Sequence, residues 1–226
     1  MRHLVTLLFV CIAGVAWGFE RTSEYEELKI GGWTVLVSSE YESRPSERKR
    51  AVAELTRQIS HINSNVPHSA LTKIIRTKIW LEFTPQTNAA GQFHVSRNWL
   101  RDNGYNPAKE YGVEMNYNMV RWKRWQPMIV LHELSHAYHH RVLRLNYRLI
   151  KRAFAQAAAS GKYENVRRND GSRRRAYSMT NHEEYFAELT EAYFGENDDQ
   201  PFNRRELKEF DPVGFEMVVT AWTKYE

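Results

Sequence analysis

Residues 132–136 read H-E-L-S-H, and they sit in one of the most apolar stretches of the chain. Two histidines four apart share one face of a helix, so both imidazoles can reach a single ion. Val130, Leu131, Leu134, Tyr138, Val142 and Leu145 form an apolar stripe, and Met128, Ile129 and Leu143 flank the histidines on the other side. A helix apolar on both sides is a buried helix. A buried imidazole without a partner is costly, and a metal ion removes that cost. The fold must therefore bring a further ligand to His132 and His136, with Glu133 between them placed to take a proton from a water as general base. A catalytic zinc commonly has three protein ligands and one open position.

The spacing limits where the third ligand can be. A third histidine six residues after His136 would need His at position 142, where Val142 stands, and His139 occupies the glycine position of that pattern. His140 lies eight residues after His132, about 12 Å along a helix, too far for one ion to take all three. His139 and His140 read as supporting or surface residues. A carboxylate from a later helix remains. Residues 180–188 read T-N-H-E-E-Y-F-A-E. Thr180 with Glu183 fits a capping box, while Glu184 and Glu188 fall one turn apart on one face. The pattern allows a solvated acidic stripe with Glu191, or a ligand at Glu184 whose neighbour Glu188 accepts the second N–H of a ligating histidine.

H-E-L-S-H-A-Y, followed 48 residues after His136 by E-Y-F-A-E, resembles the glutamate-type zincins. It is most similar to the anthrax lethal factor-like metallopeptidase family. The resemblance rests on residues 131–138 and 176–194. It implies a zincin-like metallopeptidase domain holding one Zn2+ per chain, with His132, His136 and Glu184 as metal ligands. It also implies an oxyanion-stabilising tyrosine seven residues before the glutamate ligand, where Tyr177 stands. The chain lacks the length for lethal factor's cell-binding and substrate-recognition domains, so that protein's kinase-kinase substrates are not carried over.

The rest of the sequence frames this motif. The 226 residues and 42% hydrophobic content suit one domain and exclude wholesale disorder. Arg2 and His3 precede an uncharged run from Leu4 to Trp17, with Ala16-Trp17-Gly18 as a cleavage site. Residues 1–18 read as a secretory signal, and 19–226 as a single domain, secreted or periplasmic, with no transmembrane anchor after signal removal. The one cysteine, Cys11, leaves with the signal, and the charge falls from +5 to +4. No internal disulfide is available, and no Cys-rich metal module.

Trp33–Val37 and 78–83 read as strands, Val113–Met115 as a short edge strand that can hold an extended substrate, and Pro45 to about Asn63 as a helix. Residues 84–106 read as loop with one helical turn near Trp99. Helices follow over about 127–142, 146–159, 181–194, 203–209 and 212–224, and 161–175 reads as a basic surface excursion. Asp198-Asp199 reads as an exposed acidic loop. The fold class is α+β, a small mixed sheet followed by a helical C-terminal half.

The activity expected is zinc-dependent hydrolysis of a peptide or protein substrate. The alternative is a catalytically weak or inactive zinc protein whose basic clusters (Arg48-Lys49-Arg50, Arg121-Lys123-Arg124, Arg167-Arg168, Arg173-Arg174-Arg175) bind an anionic polymer or a protein partner. No nucleic-acid motif accompanies these clusters, so no specific nucleic acid is expected.

Overall fold

The computed structural model describes residues 19–225. The signal segment read at 1–18 lies outside the described residues. A hairpin of β1 (Glu26–Ile30) and β2 (Trp33–Val37) leads into α1 (Pro45–Asn65) and α2 (His68–Ile74). Then come β3 (Ile79–Leu81), β4 (Gly91–Phe93), α3 (Arg97–Asp102), β5 (Val113–Met115) and the short α4 (Asn118–Arg121). The remainder is α5 (Ile129–Tyr138), α6 (Arg148–Ser160), a small hairpin of β6 (Val166–Arg167) and β7 (Arg173–Arg174), and then α7 (His182–Phe194), α8 (Arg204–Phe210) and α9 (Pro212–Thr223). The chain is thus α+β, with one small mixed sheet ahead of a helical second half. None of the helices described is long and apolar enough to cross a membrane.

The main sheet runs β1-β2-β3-β5-β4. Strands β2, β3 and β5 are parallel, while β1 and β4 pair antiparallel at the two edges. This corrects the reading of Val113–Met115 as an edge strand. β5 is interior, bonded to β3 on one side and β4 on the other, and its three residues are buried accordingly. The open edge belongs to β4, within a stretch that its Gly and Pro content marks as loop. β1 is also absent from the sequence reading, because E-E-L-K-I carries too much charge to stand out and is stabilised by its register against β2.

One cluster of buried apolar residues extends from Ile30 to Trp222. It includes Leu55, Ile59 and Ile62 of α1 against Trp33, Val35 and Val37, the face that the helical spacing of α1 predicts. At the other end, α5, α7 and α9 pack on one another. Tyr138 stacks on Trp222 at 4.2 Å and donates to the carbonyl of Ala221, while Trp222 donates to Thr190 Oγ1. Two aromatic side chains therefore lock both motif helices onto α9. Truncating a buried Trp of this kind typically costs about 3–5 kcal/mol.

The N-terminus of α5 has no side-chain cap of its own. Its Val130 N–H is instead accepted by Gln58 Oε1 of α1 at 3.0 Å, and the Gln58 amide is held by Glu54. An orphan donor of one helix is thus satisfied by another.

Beyond Tyr138 the helix continues as a π-helical turn, His139–Leu143. His139 is fully buried, between His182 and Phe186, so it is a core residue rather than a surface one. Neither of its ring nitrogens has a hydrogen-bond partner, and burial pushes its pKa down to about 3. An unfolded His takes up a proton as pH falls through about 6.5, whereas the folded one stays neutral to about 3. Folding therefore weakens progressively between those two values. At pH 4 the expected contribution is a loss of about 3 kcal/mol. Denaturant titrations of His139→Phe should match wild type at pH 7.5 and show a shallower decline between pH 6.5 and 4; an identical decline removes His139 as its source.

Candidate metal centre

The H-E-L-S-H residues lie within α5, where a buried face is obligatory because β4 covers one side and α7 the other. β4 comes so close that a Cβ on Gly91 would stand 2.9 Å from Glu133 Cγ and 2.9 Å from Met115 Sδ. Only glycine permits that approach. Across from it, α7 is started by Asn181, whose Oδ1 accepts from the N–H groups of Glu183 and Glu184. This corrects the Thr180–Glu183 capping box. Glu183 is left free to pair with His140, Oε2 to Nε2 at 3.1 Å.

With α7 so placed, Glu184 Oε2 lies 3.1 Å from His132 Nε2 and 3.4 Å from His136 Nε2. One carboxylate oxygen faces both imidazoles, and one ligand atom from each of the three residues falls within 4.8 Å of the others. Two imidazole nitrogens and one carboxylate oxygen at this spacing suit a divalent ion, and match the donor set of His2Glu zinc sites. The electrostatics agree. Burial opposes charge on both partners, yet hydrogen bonding with Glu184 and Glu191 holds His132 protonated well above its ordinary range. The same contacts with His132 and His136 hold Glu184 ionised below the usual carboxylate range. A cation is thus favoured at the point where the two Nε2 atoms and Glu184 meet, and a metal ion would replace the shared proton.

Glu133 is buried beside this point and lines the cleft next to His132. Burial pushes its carboxyl up, partly offset by His132 and His136. That is the direction a proton acceptor working near neutrality needs. Tyr177 lines the same cleft with its ring centre 6.5 Å from that of His132. It is 45% exposed, so its hydroxyl can meet a ligand.

The histidine-orienting role read for Glu188 falls instead to Glu191. His132 Nδ1 donates to Glu191 Oε1 at 2.7 Å, whereas Glu188 Oε1 is 3.7 Å away. Glu184, Glu188 and Glu191 share one helical face at i, i+4 and i+7. The signal was present in the spacing, but it cannot say which turn of α7 meets the far side of the ring. All three are inside the protein rather than on a solvated stripe, Glu188 and Glu191 fully so.

Asp198-Asp199 is likewise not an exposed loop. Asp199 is buried and accepts from Arg168 Nε at 3.2 Å, Arg174 at 3.0 Å and the backbone N–H of Tyr177 at 3.1 Å. It therefore fixes where Tyr177 stands. Members of three of the basic clusters are engaged by acids: Arg168 and Arg174 serve Asp199, Arg175 pairs Glu164 and Arg48 pairs Glu26.

The cleft above these groups encloses about 620 Å3. One wall carries Ala89, Ala90 and Gly91 with Trp122 and Trp125; the opposite wall carries Arg168, Arg174 and Tyr177. Asn169, at the tip of the β6–β7 hairpin, donates to the carbonyls of Arg124 and Trp125 and so ties the two walls together at one end.

Comparison with protein-family models, curated proteins and solved structures finds no match.

Removing a carboxylate that orients a metal-bound histidine typically weakens metal affinity 10–100-fold. If a divalent metal is loaded at this centre, chelator competition should show it bound more weakly by about that factor in Glu191→Ala, with a smaller effect in Glu188→Ala. The reverse ranking returns the orienting role to Glu188.

Proposed function

We propose that the chain is a zinc-dependent metallopeptidase with a zincin-like domain, similar to the anthrax lethal factor-like family and exported behind the segment 1–18. The observation that carries the reading is the convergence of His132 Nε2 and His136 Nε2 on one oxygen of Glu184, beside a buried Glu133 at the floor of an open cleft.

Zinc bound by His132, His136 and Glu184 would supply Lewis acidity, bringing the pKa of a coordinated water toward about 7 and polarising the scissile carbonyl. Glu133 takes the proton of the attacking water and returns it to the leaving amine. The raised affinity of Glu133 for a proton, caused by its burial, favours the first transfer. Tyr177 donates its hydroxyl hydrogen to the developing oxyanion. Burial, with Glu184 next, pushes its pKa up, so it keeps that hydrogen at neutral pH. His132 is kept in one orientation by Glu191.

The substrate backbone has a place to pair. In β4 the carbonyl of Ala90 and the N–H of His94 bond toward the β5 side. In an antiparallel ladder the alternate residues, Gly91 and Phe93, then present their backbone groups to the open edge. An extended peptide added there runs past Gly91, where the missing Cβ leaves room for Glu133. This edge replaces Val113–Met115 as the substrate strand.

Digestion of a peptide library by wild type and by Glu133→Gln tests the function. Glu133→Gln should retain one zinc per chain and lose at least about 10²-fold in kcat/KM, the usual scale for a general base. Undiminished hydrolysis removes Glu133 from the mechanism, and no zinc-dependent hydrolysis by wild type removes the peptidase reading. For the ligand set, Glu184→Ala should lose zinc and Glu183→Ala should keep it, as read by metal analysis; the opposite outcome exchanges their roles.

A further inference from the structure

Behind His132, on the side away from Glu184, four carboxylates are buried together: Glu188, Glu191, Asp198 and Asp199. Their cationic neighbours are Arg168 and Arg174. Arg168 pairs with Asp170 at 2.8 Å and with Asp199 at 3.2 Å, Arg174 pairs with Asp199 at 3.0 Å, and they reach Asp198 only at 3.6 and 4.0 Å. Two negative charges are therefore left over, on groups at least nine-tenths buried. His132 does not cancel them, since it is neutral when it ligates zinc through Nε2; to that extent the count rests on the peptidase reading.

Glu188 is 3% exposed and its Oε2 has no hydrogen-bond partner. A buried carboxylate oxygen in that state costs free energy unless an unseen donor or cation meets it. Glu188, Glu191 and Asp198 all line the cleft. Ligand atoms of Glu188 and Glu191 lie within 4.8 Å of each other and of His132 Nδ1, close enough for one ion to span.

We propose that Glu188, Glu191 and Asp198 form a second cation site, taking a hard divalent ion of the calcium type beside the zinc centre. The donors are carboxylate oxygens, which suit calcium rather than a soft metal. His132 keeps its Nδ1 hydrogen on Glu191 Oε1, and the remaining oxygens of the three acids are available to the ion. Its charge cancels the two left over, and its occupancy links the cleft wall at Asp198 to the turn of α7 that orients His132.

The test uses the full chain, stripped with a chelator, reloaded with one equivalent of zinc, and titrated with calcium in a calorimeter. One further ion per chain should bind. At calcium a hundredfold above its dissociation constant, the melting midpoint should rise by about 5–10 °C. Glu188→Gln and Asp198→Asn should each weaken calcium at least tenfold while keeping zinc. In calcium-free buffer Glu188→Gln should melt no lower than wild type, because it removes an uncompensated charge; a much lower midpoint makes the carboxylate structural and overturns the proposal. So does calcium binding that is unchanged in Glu188→Gln. A chain that takes zinc but no calcium, magnesium or manganese at millimolar concentration overturns this site alone, and gives the Glu188 charge to a bound proton. A chain that takes calcium but no zinc leaves this site standing and sinks the peptidase reading.

Discussion

Both ring nitrogens of one buried imidazole face carboxylates, and the arrangement of the helical half follows from that constraint. His132 meets Glu184 at Nε2 and Glu191 at Nδ1, so α7 must lie alongside α5 in one register. A shift of one residue along α7 would turn the acid face by about 100° and set the ring against Tyr185 and Ala192 in one direction or Glu183 and Thr190 in the other, so the pair of carboxylates is lost either way. The apolar surroundings enforce the register. Tyr138, Phe186 and Trp222 stack in one group, so polar complementarity within the centre and shape complementarity outside it choose the same helix pairing.

Much of this was legible in the residues themselves. Two histidines at i, i+4 on a helix apolar on both sides announce a buried polar pair, and periodicity alone places them on one face. The E-Y-F-A-E turn supplies a carboxylate at the right distance along a second helix. The strand at Trp33–Val37, α1, and the later helices follow from the same periodicities. What stayed hidden depends on contacts between distant segments. Strand order decides that Val113–Met115 is interior, and no local pattern carries strand order. Asp199 reads as a polar loop residue because its partners Arg168 and Arg174 lie 31 and 25 positions away. Glu191 differs from Glu188 only by which turn of α7 faces Nδ1.

The basic residues illustrate the same point from the other direction. Counted along the chain they suggest a surface for an anionic partner. Placed in space, the partly buried Arg168 and the exposed Arg174 hold the buried acid that holds the Tyr177 backbone. At these two positions, charge that reads as a recognition surface along the chain serves as scaffolding in space.

The Gln58 side chain that meets Val130 N–H has a consequence for how the centre comes into being. A ten-residue helix is too short to persist in water on its own. α5 therefore depends on α1 for the acceptor at its first turn, and the metal ligands rest on an N-terminal segment that contains none of them. The apparent division into a mute first half and a chemical second half is a property of the text; in the folded chain the two are joined at Gln58.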